Sequence, residues 1–414
     1  MTAEIAILNR TAVALAADSV VTLSSPRGRK TYDSAEKIFE LSREQPIGLM
    51  IYNNAQHLNA PLEVVVRSYR SGLSTAGFDR LEVVWPHFQQ FLLAFPHTNE
   101  DELDHLRRMA AVELDKLRVM RFNHMLETVA RRRRPGGATS ETRIRAAIAE
   151  RRAEAEAEPI DGYLDDKTEQ DFIDQYGPTV DGIANIVLKG MDLNVALRQE
   201  IYGLFFALVR SRIKTDAFTG FVFAGFGKSD LFPTLHSVEV DGIYFDRFRV
   251  VRDEVTDIDR RGDTAAIVPF AQTDMAERFI LGIDAQSELG LEKIMVGMVS
   301  DILNARPRSF PPAAREALLD AARARFRVGV DDLKTRSEQN LKGVVDHLSK
   351  KELADVAYSL VELTSRKRRY SSDPDSVGGP IDVAILTQSE GFIWVRRKHY
   401  FEPELNPSFF KRVK

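Results

Sequence analysis

The sequence predicts an α+β protein in which short strand pairs share the chain with long helices, and three observations carry that prediction. The N-terminus runs directly into an apolar strand segment. Residues 237–241 alternate as Ser237, Val238, Glu239, Val240 and Asp241, the two-residue period of one half-buried strand of a hairpin. Between residues 100 and 129, Leu103, Leu106, Met109, Ala110, Val112, Leu114, Leu117, Met120 and Met125 recur at helical spacing with charges between them. The 414 residues, 44% hydrophobic and 29% charged, suffice for one large domain with insertions or for two to three domains.

Taken in order, the first strand segment leads to Ala16-Ala17-Asp18-Ser19, and Lys37 opens a second apolar run, Lys37-Ile38-Phe39-Glu40-Leu41. Residues 48–55 form another apolar stretch that ends in Tyr52-Asn53-Asn54-Ala55. Residues 62–73 read as a helix, and residues 84–95 are aromatic-rich material that must pack against something. After the stripe at 100–129, residues 135–178 are charged and read as helical, mobile, or both. Residues 183–209 form a second apolar helical pair. Strands follow at 219–227 and 235–244, and Gln272-Thr273-Asp274 starts a helix over 275–281, with Thr273 as its cap. Pro311-Pro312 opens a helix within 307–350, and the chain closes on a strand at 381–387 with a hairpin partner at 391–395.

Thr2 carries the chemistry. A threonine that becomes the first residue supplies its own base, because a free α-amino group titrates at about 7.7–8.0 and takes the hydroxyl proton near neutral pH. Exposure of Thr2 needs only the loss of Met1, which is favoured before small side chains, a class in which threonine stands near the upper limit. A buried lysine ammonium beside a carboxylate favours the ionised hydroxyl, and Asp18 and Lys37 are the candidates for that pair.

This order of Thr2, Ala16-Ala17-Asp18-Ser19 and Lys37 resembles proteasome β-subunits and the HslV-type peptidase, within the N-terminal nucleophile hydrolases. Thr2 and Asp18 keep that family's spacing, and Lys37 follows after a slightly longer loop at 24–33. Gly378-Gly379-Pro380 and the strand after it resemble the family's closing glycine pair. Just upstream, Asp373 and Ser376 match the aspartate and serine that steady the amine and lysine, with Asp375 as the rival acid. Thr22 matches a threonine whose backbone pairs with bound substrate. Two departures stand out. Tyr52 and Asn53 occupy the place of the glycine pair whose N–H faces the oxyanion, and residues 269–274 lack the family's Gly-Ser-Gly, although Thr273 offers a hydroxyl.

The resemblance implies a four-layer αββα sandwich with large helical insertions. Its core would be residues 2–75, 215–250, 265–305 and 350–400, with helical insertions at 76–214 and 307–349. It implies hydrolysis of amide, above all peptide, bonds by Thr2, with Asp18 orienting Lys37, Asp373 and Ser376 holding the amine, and Thr22, Tyr52 and Asn53 meeting substrate. Implied partners are a polypeptide or amide substrate, further copies in a homo-oligomer, and an ATPase. The alternatives are a catalytically silent scaffold subunit and a hydrolase of small amides.

Composition sets limits around this reading. Zero cysteines exclude disulfides, thiol catalysis and zinc-thiolate sites, and neither a signal peptide nor a membrane-spanning run is present, so a cytoplasmic protein is expected. A net charge of −4 argues against a nucleic-acid role, and Arg131-Arg132-Arg133-Arg134 reads as a solvated helix end. The eight histidines are scattered without a HExxH pair, so neither a metal nor a cofactor is expected. Gly227-Lys228-Ser229 lacks the glycine that a phosphate loop needs five positions earlier, where Val222 stands.

Overall fold

The N-terminal apolar segment folds as β1 (Ala3–Asn9) and β2 (Val13–Asp18), joined by a turn in which Asn9 Oδ1 accepts the N–H groups of Thr11 and Ala12. The structure, a computed structural model, describes residues 2–25, 28–32, 35–130, 140–305, 310–370, 378–399 and 401–408. Next come β3 (Val21–Ser25), β4 (Gly28–Tyr32), β5 (Ile38–Glu40) and β6 (Ile47–Asn53). The two-residue β7 (Gln56–His57) and β8 (Ala60–Pro61) lead into α1 (Leu62–Gly72) and α2 (Val84–Ala94).

Four helices then follow, α3 (Asn99–Ala130), α4 (Ser140–Ala157), α5 (Glu169–Val187) and α6 (Val195–Arg210). Their starts obey local chemistry. Thr168 and Asp171 form a capping box on α5, and Asn194 accepts the Leu197 N–H at the start of α6. The chain returns to strands with β9 (Thr219–Gly225), β10 (Thr234–Tyr244), β11 (Arg247–Asp257) and β12 (Ala265–Ala271). The last helices are α7 (Asp274–Leu281), α8 (Ala285–Ala305), α9 (Pro312–Val345) and α10 (Lys350–Arg369). Pro312 occupies the first turn of α9, where its missing N–H costs nothing, and a Ser349–Glu352 capping box opens α10. The hairpin β13 (Ile381–Thr387) and β14 (Gly391–Arg396) completes the order.

The strands form two five-stranded antiparallel sheets, ordered β12-β1-β2-β13-β14 and β11-β10-β9-β6-β5. Strand alternation sends successive side chains to opposite faces. Ala6, Leu8, Leu15 and Leu386 of the first sheet therefore meet Met50, Val222 and Leu235 of the second in one apolar cluster. The opposite face of the first sheet, through Ile5, Ile7 and Ile385, packs on α10 and α7. The opposite face of the second, through Leu49, Ile51, Phe221 and Phe223, packs on α1 and α2. Gly48 leaves room for side chains of the facing sheet, since a Cβ there would lie 3.0–3.2 Å from Leu15, Leu386 and Phe392. A fourth cluster joins α3 to α6 and reaches the strands through Tyr244.

Two expectations change. Residues 24–33 are largely strand rather than loop, because β3 and β4 pair as a ribbon with Thr22 opposite Thr31. Residues 237–241 are buried on both faces rather than one, because helices cover one face of β10 and polar partners the other. Its Val238 and Val240 join the cluster under α1 and α2, and its polar side chains find partners on the other face. Glu239 takes the Tyr52 hydroxyl and the Lys214 ammonium, and Asp241 takes Thr215 and Arg249. Arg249 is fully buried and also donates to the carbonyls of Leu208, Val209 and Ser211 at the end of α6. The run Arg131 to Arg134 lies outside the described residues.

Candidate active site

The antiparallel register sets Glu4 opposite Ala17, so the start of β1 and the end of β2 meet, and Thr2 lies beside Asp18. Lys37 comes from the other sheet: it immediately precedes β5, and its carbonyl accepts the Ile51 N–H of β6 at 2.9 Å. Thr2, Asp18 and Lys37, spread over 35 residues of sequence, thus converge where the two sheets face each other. All three are buried, with 3%, 1% and 5% of their surface exposed.

Asp18 is the hub. Its Oδ1 accepts the Thr2 hydroxyl at 2.5 Å, the Ala3 N–H at 3.1 Å and the Lys37 ammonium at 2.6 Å. Its Oδ2 accepts the N–H groups of Gly378 at 2.9 Å and Val20 at 3.4 Å. The Lys37 ammonium also donates to Thr2 Oγ1. Gly378 reaches Asp18 with φ +154°, a conformation that only glycine adopts readily. Ser19 holds the same segment by donating its hydroxyl to the Pro380 carbonyl at 2.6 Å and its N–H to the Gly378 carbonyl at 3.2 Å. The Thr2 carbonyl accepts the Gln272 N–H at 3.0 Å, which ties Thr2 to the end of β12.

Of the two proposed oxyanion donors, strand alternation separates the roles. Because Ile51 turns its N–H toward β5, Tyr52 turns its own toward β9, where it sits opposite Gly220. The Asn53 N–H faces the β5 side again, the side of Lys37. The Tyr52 side chain points between the sheets, where its ring packs on Phe270 and its hydroxyl donates to Glu239 at 2.9 Å. Burial, with the Glu239 charge beside it, pushes the Tyr52 phenol well above its usual range. Asn53, with φ +67°, ends the strand, and its side-chain amide donates to the carbonyls of Asp216 and Phe218.

Thr22 lies on β3 with one strand edge occupied by Thr31. Asp373, Ser376 and the rival Asp375 lie outside the described residues. Thr273 stands at the N-cap position of α7 but does not cap it; its hydroxyl donates to Glu277 at 2.6 Å instead.

Sequence reasoning missed Glu4. It follows Thr2 by two residues on the same face of β1, and its Oε1 lies 3.0 Å from Thr2 Oγ1. The neighbours across its sheet are Ala17 and Phe270, both members of the inter-sheet apolar cluster. Burial pushes its carboxyl up from 4.5 to about 8, Asp18 adds to the rise, and Lys37 and the Thr2 hydroxyl offset part of it. The signal was available only as a charged residue inside an otherwise apolar first strand. Among the described residues, no cluster of three or more His, Asp or Glu side chains could hold a metal ion, and no helix is long and apolar enough to cross a membrane.

No family model and no curated protein matches this chain. Among solved structures, the chain is similar to the Anbu (Gly-1) mutant from Hyphomicrobium sp. strain MC1, with 10% identity over 100% of this chain and 95% of that one. The TM-score of that match is 0.27, too low to carry an argument about fold or function.

Proposed function

We propose that this chain is a proteasome-like threonine hydrolase of amide bonds, built as a four-layer αββα sandwich with helical insertions. The observation that carries the reading is the buried contact of Thr2 Oγ1 with both the Lys37 ammonium and Asp18. An ammonium that donates to a hydroxyl oxygen stabilises the alkoxide, and Asp18, already holding three backbone N–H groups, keeps that ammonium in place. After removal of Met1, the Thr2 O–H bond breaks and its proton passes to the freed α-amino group as Oγ attacks the amide carbonyl; the carbonyl electrons move to oxygen, toward the Asn53 N–H, and the amine holds the proton for the leaving nitrogen. The C–N bond then breaks as the nitrogen takes a proton. Water completes the cycle by cleaving the resulting ester.

The layered architecture rests on one apolar cluster between the sheets and one on the outer face of each. The proposed core is residues 2–75, 215–250, 265–305 and 350–400, with 76–214 and 307–349 as insertions; the separate cluster of α3 to α6 supports the first from α3 onward, while α2 packs on the second sheet. Polypeptide substrates, assembly into a homo-oligomer and delivery by an ATPase extend the same reading by analogy.

The 3% exposure of Thr2 favours a second reading, a silent scaffold of the same architecture. Intact mass of the native-start protein, before and after treatment with an epoxyketone that needs both the hydroxyl and the amine of an N-terminal threonine, separates the two. Hydrolysis predicts loss of Met1 and an adduct on Thr2 that is absent from Thr2→Ala. A free Thr2 that forms no adduct supports the scaffold, and retained Met1 refutes the amine-assisted mechanism.

A further inference from the structure

Three polar groups surround one hydroxyl. Thr2 Oγ1 contacts the Lys37 ammonium, Asp18 Oδ1 and Glu4 Oε1, yet a hydroxyl has one proton to give. Lys37 has only protons to offer. Asp18, whose two oxygens already receive an ammonium and three backbone N–H groups, is the ionised partner that takes the hydroxyl proton. The valence count closes when Glu4 is the donor, a neutral carboxylic acid whose O–H points at Thr2 Oγ1.

We infer that Glu4 is a further catalytic residue of this site: neutral at rest, and the acceptor of the Thr2 hydroxyl proton once ionised. The inference rests on Thr2 being the nucleophile.

The surroundings support it. Glu4 is 2% exposed, and its Oε2 has no hydrogen-bond partner among the described residues. Ionising a carboxyl in such a place is costly, and burial raises its affinity for a proton until it changes state at about 8. The titratable and charged groups facing it are Asp18 at the end of β2, Lys37 before β5 and Tyr52 on β6, with only Lys37 favouring its charge. A carboxylate with raised proton affinity is a better general base than one saturated by donors, and 3.0 Å is within proton-transfer reach.

The step balances. The Thr2 O–H bond breaks and its proton goes to the Glu4 carboxylate while Oγ bonds to the acyl carbon. Glu4 then returns the proton to the leaving atom as its bond to that carbon breaks. Glu4 also offers a base that does not depend on the α-amino group.

The test has two readouts on the whole chain. Infrared spectroscopy of the wild type is expected to show the C=O stretch of a protonated carboxyl at neutral pH. That band should vanish as pH rises through about 8, be missing from Glu4→Gln, and move in frequency in Thr2→Ala, which loses its hydrogen-bond partner. The second readout is the rate of acylation of Thr2 by a small β-lactone, followed by intact mass. It should rise with pH through the same region, fall roughly 100-fold in Glu4→Gln with loss of that rise, and be partly restored in Glu4→Asp. No protonated-carboxyl band at neutral pH overturns the inference. So does a pH profile that survives Glu4→Gln, since it then belongs to the α-amine. Absence of acylation in every variant refutes the nucleophile and Glu4's catalytic role together, whereas a surviving profile removes Glu4 alone.

Discussion

Replacing Asp18 by asparagine keeps the shape of the site and removes one charge. The Asp18–Lys37 pair spans 2.6 Å, with side chains 0% and 6% exposed, so the substitution leaves an ammonium buried without its counter-ion. Breaking a buried pair by removing one partner costs about 3–5 kcal/mol. The asparagine also turns its NH2 toward the backbone donors of one former carboxylate oxygen, either Ala3 on the Oδ1 side or Val20 and Gly378 on the Oδ2 side, and each lost bond adds about 1–3 kcal/mol. Lys37→Met strands the carboxylate instead and is destabilising for the same reason, but Asp18→Asn combined with Lys37→Met removes both charges and should recover most of the loss. Urea unfolding followed by tryptophan fluorescence measures this, because Trp85 lies on α2 against the second sheet and Trp394 on β14 of the first. Asp18→Asn within about 1 kcal/mol of the wild type, or a double variant as unstable as the two single losses summed, would refute a buried ion pair at this site.

Three further outcomes follow from the geometry. Glu4 is raised from 4.5 to about 8 in the folded chain, so the folded state binds the extra proton, and stability falls as pH rises across that window by up to about 1.4 kcal/mol per unit. Glu4→Gln should flatten this part of the curve in urea unfolding measured at a series of pH values; an unchanged slope would exclude Glu4 as its source. Arg249→Met takes the buried guanidinium from Asp241, leaving it His105 and Thr215, and uncaps the end of α6, which should cost about 3–5 kcal/mol in the same assay. Gly48→Ala presses a methyl group against Leu15, Leu386 and Phe392 and should cost about 1–3 kcal/mol, while Leu15→Ala in the same chain relieves the crowding.

The elements were legible wherever a segment carries its own period. The stripe from Leu103 to Met125 falls on α3, and Pro311-Pro312 marks the start of α9. The sequence led to the expectation of Asp18 and Lys37 as a buried carboxylate–lysine pair beside Thr2, whereas the burial of Thr2 itself was not read from it. What stayed hidden depends on distant chain. Glu4 reads as an ordinary strand acid until Phe270 and Ala17 close over it, and β10 reads as half-exposed until Tyr52, Lys214 and Arg249 supply partners for its carboxylates. The direction of the Tyr52 and Asn53 N–H groups depends on the register against β5 and β9, which no local pattern encodes.

The link from Gly378 to Asp18 spans 360 residues, so the site draws on segments far apart in the chain. β1 and β2 lie between β12 and β13, so the first sheet stays incomplete until residues 265–271 and 381–387 have joined it. A nascent or prematurely terminated chain that stops before Gly378 lacks the N–H that fills Asp18 Oδ2 and the strand that flanks β2. The environment of Thr2 and Asp18 is therefore complete only when Gly378 and β13 lie against β2.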